Sequence, residues 1–120
     1  MLRYSKQVTE YFDNTPYLQS PGPAPELRCG EAGSKAQGAH VAFFLEARGD
    51  TISTLTFQAY GCPELIAACC ETCSRLTGQS LTAAAALEPA ELMRGLQIPA
   101  EKAGKILILQ DALLDCCCAA

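Results

Sequence analysis

Tyr60-Gly61-Cys62 places a thiol where an alternating strand hands over to a helix. Leu55, Phe57 and Ala59 alternate with Thr54, Thr56 and Gln58, the pattern of a half-buried strand. Gly61 supplies a sharp exit, and Pro63 suits the first turn of a helix running to about Leu76. Cys62 then falls at a helix N-terminus, where unpaired backbone N–H groups and the positive end of the helix dipole favour a thiolate. The thiolate is the form that binds metal or attacks a sulfur atom.

The chain holds eight cysteines, and the others read differently. Cys69 and Cys73 are four residues apart, which allows one metal on a helix face, but they share that face with Leu65, Thr72 and Leu76. Free cysteine packs as a small hydrophobe, so a core role is the preferred reading, with Cys70 partly buried beside them. Cys116-Cys117-Cys118 would project about 100° apart on a helix and cannot all hold one metal. They read as an apolar helix end, with a soft-metal or redox tail as the alternative. His40 is the only histidine, at the start of a strand, where it is a rim residue or a spare ligand. Glu31 is a solvated loop acid or, less readily, a ligand.

The elements that must position these groups follow from pattern. Residues 3 to 13 suggest a short helix with Val8, Tyr11 and Phe12 on one stripe, stopped by Asn14-Thr15-Pro16. Four prolines between residues 15 and 25 make an irregular lead-in to a short edge strand around Glu26–Cys29. Gly30 to Gly38, rich in small residues, predicts a mobile loop. Val41, Phe43, Leu45 and Ala47 then alternate with Ala42, Phe44 and Glu46, and Arg48-Gly49-Asp50 turns the chain into the strand ending at Tyr60. That Arg-Gly-Asp is a turn rather than an adhesion motif. After the Cys62 helix, Gly78 is a stop, Pro89 opens a short helix, and Pro99 precedes a last helix over 101–117 with Ile106, Leu109, Leu113 and Cys116 on one face. The expected fold is α+β, one domain of 120 residues in which helices cover one face of a small antiparallel sheet.

Composition narrows the function. A net charge of -4 with no basic stripe argues against nucleic acid. No apolar run approaches the roughly 18 residues that span a membrane. Met1–Glu10 has charges and no apolar h-region, so a cytoplasmic chain with reduced thiols is expected. No catalytic triad, phosphate loop or paired-carboxylate arrangement is present, so no enzymatic activity and no nucleotide are expected.

Tyr4-Ser5-Lys6, the Gly-rich loop before a hairpin, Tyr60-Gly61-Cys62, and Ile98-Pro99 leading into a final helix with Gln110-Asp111-Ala112 occur in one order. Together they resemble the iron–sulfur cluster scaffold family, IscU and the N-terminal domain of NifU, over nearly the whole chain. The resemblance implies an IscU-like fold with a three-stranded antiparallel sheet and a long C-terminal helix. It implies a transient [2Fe–2S] cluster as cargo, sulfur received from a cysteine desulfurase, and transfer to acceptor apo-proteins.

That family holds its cargo on three cysteines and an aspartate, and of these only Cys62 is plainly matched here. Cys29-Gly30-Glu31 mimics the first ligand's Cys-Gly-Asp, at the cost of an insertion before the hairpin. A gapless reading, preferred because both flanks keep their spacing, puts Gln37 in that cysteine's place and Ala39 in the aspartate's. Gly104 and Lys105 occupy the His-Cys positions of the third ligand. An ammonium disfavours nearby metal cations but attracts a thiolate or an anionic sulfur species. The family's chaperone motif is degraded to Ile98-Pro99-Ala100-Glu101-Lys102. The candidate set is therefore Cys62, Cys29, Glu31 and His40, with Lys105 as a charged neighbour. Three readings follow: sulfur or iron–sulfur handling through Cys62, a ligand-depleted module that docks on a desulfurase or scaffold, and a binder of another soft metal.

Overall fold

The computed structural model describes residues 28–117. The helix expected over 3–13, Tyr4-Ser5-Lys6, the proline-rich lead-in and Cys118 lie outside the described residues. Three strands form one antiparallel sheet in the order β1 (Arg28–Ser34), β2 (Ala39–Arg48), β3 (Thr51–Tyr60). Four α-helices follow: α1 (Pro63–Leu76), α2 (Leu81–Ala85), α3 (Pro89–Leu96) and α4 (Ala103–Cys117).

The β2–β3 hairpin obeys its alternation. Val41, Phe43, Leu45, Leu55 and Phe57 point into the core, each at most 2% exposed. A bulge between Glu46 and Ala47 adds one residue to β3, and Ser53 Oγ donates to Glu46 O at 2.9 Å. The extra residue shifts the phase, so Ile52 opposite Ala47 also enters the core. Central strand β2 is covered on both faces, since Ala42 and Phe44 are buried too.

The first strand differs from its expectation. The segment 30–34 is strand rather than loop, and only the tight turn Lys35–Gln37 with Gly38 separates β1 from β2. Gly30 is a packing glycine. A Cβ there would collide with the Cys116 backbone and stand 2.6 Å from Ala112 O, so α4 lies directly on the strand. Gly33, at φ +85°, is the position that needs glycine for its backbone, and a Cβ on it would stand 2.9 Å from Ile108 Cγ2.

Helix α1 is buried nearly all round. Leu65, Cys69, Cys70, Thr72, Cys73 and Leu76 are all covered, and Thr72 Oγ1 satisfies itself on Ala68 O at 2.8 Å. Helix α2 has no counterpart in the sequence expectation. Ser80 caps it by accepting from Ala83 N at 3.0 Å, and Ser80 also bridges to Thr51. Helix α3 ends where Gln97 turns left-handed at φ 56°. Helix α4 buries Ile106, Leu109, Leu113 and Cys116, as its periodicity requires, after a 3-10 turn at Ala100–Lys102. No helix among the described residues is long and apolar enough to cross a membrane.

Candidate functional site

Cys62 occupies the N-cap of α1 with extended backbone (φ -77°, ψ 165°) and makes no side-chain capping bond. Its carbonyl accepts from Leu65 N at 3.0 Å and Ile66 N at 3.2 Å. Pro63 at the first helical position leaves no N–H to satisfy there. The thiol is part-buried, between the exposed residues Tyr60 and Gly61 and the buried Leu65. Gly61 is pinned from two sides: a Cβ on it would stand 2.6 Å from Leu65 Cδ2 and 3.6 Å from Gly38 O.

That second contact brings the β1–β2 turn to the Cys62 end. Ser34 caps the turn, accepting from Gln37 N at 3.2 Å, and Gly38 N donates back to Lys35 O at 3.0 Å. Gln37, which the gapless spacing set in place of the first cysteine, therefore stands in the turn beside Cys62. Helix α4 reaches the same end. Ala112 and Cys116 lie against Gly30, Ile108 lies against Gly33, and Lys105 is about one turn further toward the Ser34–Gly38 end. Its side chain is part-buried.

Cys29 is not brought to this end. It pairs with Phe44, which pairs with Thr56, six residues before Cys62. At about 3.3 Å per residue the separation along the strands is about 20 Å. Burial, then the charges of Glu31 and Asp115, raise the Cys29 thiol above its ordinary value. Glu31 and His40 meet each other, with Nε2 3.5 Å from Oε2. His40 stands opposite Tyr60, so its ring is near the Cys62 end but engaged with Glu31.

Four other cysteines form the opposite environment, while Cys117 is part-buried at the end of α4. Cys69, Cys70, Cys73 and Cys116 are fully buried. Burial pushes Cys70 up to about 11 and Cys116 to about 12, and Cys69 and Cys73 well above the ordinary thiol range. Cys116 Sγ donates to Arg28 O at 3.6 Å. Among the described residues no group of three or more His, Cys, Asp or Glu side chains converges as a metal site.

Two features were not foreseen. Lys35 Nζ lies 5.6 Å from the centroid of the Tyr60 ring, a contact between residues 25 apart that no local pattern announces. Glu64, two residues after Cys62, is 4% exposed with Oε1 lacking any hydrogen-bond partner. An acid in a first helical turn is so ordinary that nothing in the sequence marked it.

No curated protein matches the chain in sequence. Solved structures do match its fold. One is a putative iron–sulfur cluster assembly scaffold protein for the SUF system from Fervidobacterium islandicum AW-1, with TM-score 0.71 and 14% identity, covering 95% of this chain and 96% of that one. Another is the N-terminal part of a nitrogen-fixing NifU-like protein from Brucella abortus, with TM-score 0.65 and 18% identity, covering 93% and 90%. At these identities the likeness speaks to fold. The model of the NifU-like N terminal domain matches residues 3–118, nearly the whole chain, and the chain belongs to that family.

Proposed function

We propose that this chain serves iron–sulfur cluster assembly as a sulfur-handling member of the NifU-like scaffold family, with Cys62 as the reacting group. One observation carries the reading. Cys62 sits at the N-terminus of α1, and the positions that the resemblance assigns to the family's other cysteines, Gln37 and Lys105, fall on the turn and the helix that reach the same end of the fold. An amide and an ammonium are poor partners for iron, so this set does not fit a stable cluster. It does fit a thiol that accepts sulfur.

In the proposed step the Cys62 thiolate attacks the outer sulfur of a persulfide on a cysteine desulfurase. A new S–S bond forms to Cys62, the donor's S–S bond breaks, and its electron pair leaves on the desulfurase thiolate. No net oxidation occurs and no further reactant is consumed. The chain then acts as a carrier rather than an enzyme, in the cytoplasm, and passes sulfur or a transient [2Fe–2S] cargo to an acceptor apo-protein.

The replaced ligand positions also favour a second reading, a docking module that regulates a desulfurase or scaffold without carrying anything. Anaerobic incubation with a desulfurase and cysteine, followed by intact-mass and peptide analysis, separates the two. The carrier gains 32 Da on Cys62, and Cys62→Ser does not. Binding without transfer to Cys62 sinks the carrier reading. Reconstitution with iron and sulfide is expected to give no stoichiometric, long-lived cluster. A cluster that is lost in Cys62→Ser but survives Cys29→Ser overturns that expectation and makes His40 the first replacement ligand to test.

A further inference from the structure

The Lys35–Tyr60 contact lies two residues along the chain from the proposed reacting thiol, and it gathers a charge that would otherwise wander. Lys35 is exposed on a turn whose backbone is held by the Ser34 cap and by the left-handed Gly38. Its ammonium rests over the face of Tyr60, which is 50% exposed and two residues before Cys62. An attraction between a cation and an exposed ring is weak. The ammonium is therefore placed, yet free to move onto an anion that arrives at the same mouth. The acids nearby leave it that freedom. Glu31 is engaged by His40, and Glu64 is buried. Glu101 is exposed on the turn before α4, at the start of the helix that carries Lys105.

We infer that Lys35, parked on Tyr60, is a specificity-determining residue that makes the Cys62 site prefer anionic sulfur donors. The inference rests on the sulfur-handling reading for its substrate class, hydropersulfide anions of the form R–S–S⁻. A thiolate attacking such a donor brings two negative charges together. The S–S bond to Cys62 forms, the donor's S–S bond breaks, and the products are a Cys62 persulfide anion and R–S⁻. Charge and electrons balance without an oxidant. A cation held at this end of the fold matters most in this case, because it offsets the repulsion between the reactants.

The test uses two alkylating reagents of nearly equal size, iodoacetate and iodoacetamide, on the full chain. Cys62 modification is followed by peptide mass. The ratio of anionic to neutral rates should exceed that of a free cysteine peptide. It should fall about three- to five-fold in Lys35→Met and further in Lys35→Glu, with a clearly smaller loss for iodoacetamide, whose rate follows only the thiolate population. Tyr60→Leu, which releases the ammonium without removing it, should fall between. Raising salt should erase the wild-type preference. An unchanged ratio in both lysine variants overturns the inference, and so does an equal loss for both reagents. In a parallel arm, transfer from glutathione persulfide should slow in step with iodoacetate. If the iodoacetate preference stands while neither glutathione persulfide nor a desulfurase modifies Cys62, anion selection survives and the sulfur-handling reading fails.

Discussion

At one end of the sheet a part-buried thiol belongs to a helix N-cap residue, two positions after an exposed tyrosine on which a lysine leans. At the other end, Cys116 and Cys29 flank a contact so close that β1 must carry glycine where α4 crosses it. Both ends contain cysteine. The sequence ranked Cys62 first from its place at a helix N-terminus, and the surroundings of the thiols give a physical basis for the comparison. Burial among Leu65, Leu109 and Leu113 and an uncharged thiol go together in the core, whereas Cys62 stands part-exposed at a helix N-terminus. Cysteine count is therefore a poor guide to chemistry here. Four of these thiols are packing atoms of the core, and Cys62 is the one proposed to react.

The comparison is broken most severely at the packing end. Gly30→Val puts a branched side chain into the backbone of Cys116 and against Ala112 O, with no flexible neighbour to give way. Helix α4 must separate from β1, and a loss of more than about 3 kcal/mol is expected from such overpacking. Gly38→Ala meets nothing within 4 Å and bears only its left-handed backbone, at φ +78°, so it should lose about 1 kcal/mol. Chemical denaturation reads both. Equal losses would mean that the β1–α4 contact is no tighter than the turn.

Reactivity gives the next largest difference. At pH 7.5 Cys62 should alkylate at least about a hundred-fold faster than Cys69, Cys70, Cys73 and Cys116, which must wait for opening of the core. Native-state labelling with peptide mapping decides it. Cys62 should also outpace exposed Cys29, and if it does not, its position at the helix end confers nothing.

The packing thiols should in turn make the fold sensitive to alkali. Cys116 is pushed up to about 12 and Cys70 to about 11 from an ordinary 9.0. Above pH 9 the unfolded chain releases these protons while the folded chain keeps them, so the native state binds more protons and stability falls as pH rises. The contribution is whole below pH 9 and is lost progressively up to the folded values. Each such thiol adds a slope of about 1.4 kcal/mol per pH unit across that window. Denaturation midpoints at pH 8, 9, 10 and 11 should show it, and Cys116→Ala should flatten it. An unaltered slope would remove Cys116 from the account.

What could be read from the residues divides along the same lines. The hairpin and α1 were legible because alternation and a Gly-Cys-Pro junction are local signals. Strand β1 was legible only at its start, around Arg28 and Cys29, because Gly30 and Gly33 read as loop punctuation until α4 is laid across them from more than 70 residues away. Helix α2 was missed because an alanine run has no stripe to detect, although Ser80 is a proper cap. Cys29-Gly30-Glu31 mimics a ligand motif, but β1 is an extended strand and carries Cys29 away from Cys62. The spacing argument that put Gln37 at the first ligand position depended on both flanks staying in register, and registers are set by burial of alternate residues. The Lys35–Tyr60 contact was beyond reach, since neither residue is apolar enough or periodic enough to predict its partner.

Lys105 offers the finest distinction between the two ends. It is the third residue of α4, in a helical first turn, where a cation opposes the dipole by about 0.3–1 kcal/mol. A favourable partner would offset that cost. The Cys62 thiolate is one candidate, and Glu101, four residues earlier, is the other. The two partners predict different results. If Lys105 serves Cys62, Lys105→Met slows alkylation of Cys62 about two- to five-fold at pH 7.5 with iodoacetate and iodoacetamide alike, because it changes the amount of thiolate and not the choice of reagent. That equality separates it from Lys35, whose loss should fall more heavily on iodoacetate than on iodoacetamide. If Lys105 serves Glu101, Lys105→Met and Glu101→Gln change stability by a few tenths of a kcal/mol and leave the Cys62 rate alone. An unaltered rate in Lys105→Met ends the coupling and leaves this residue as a lost ligand position and nothing more.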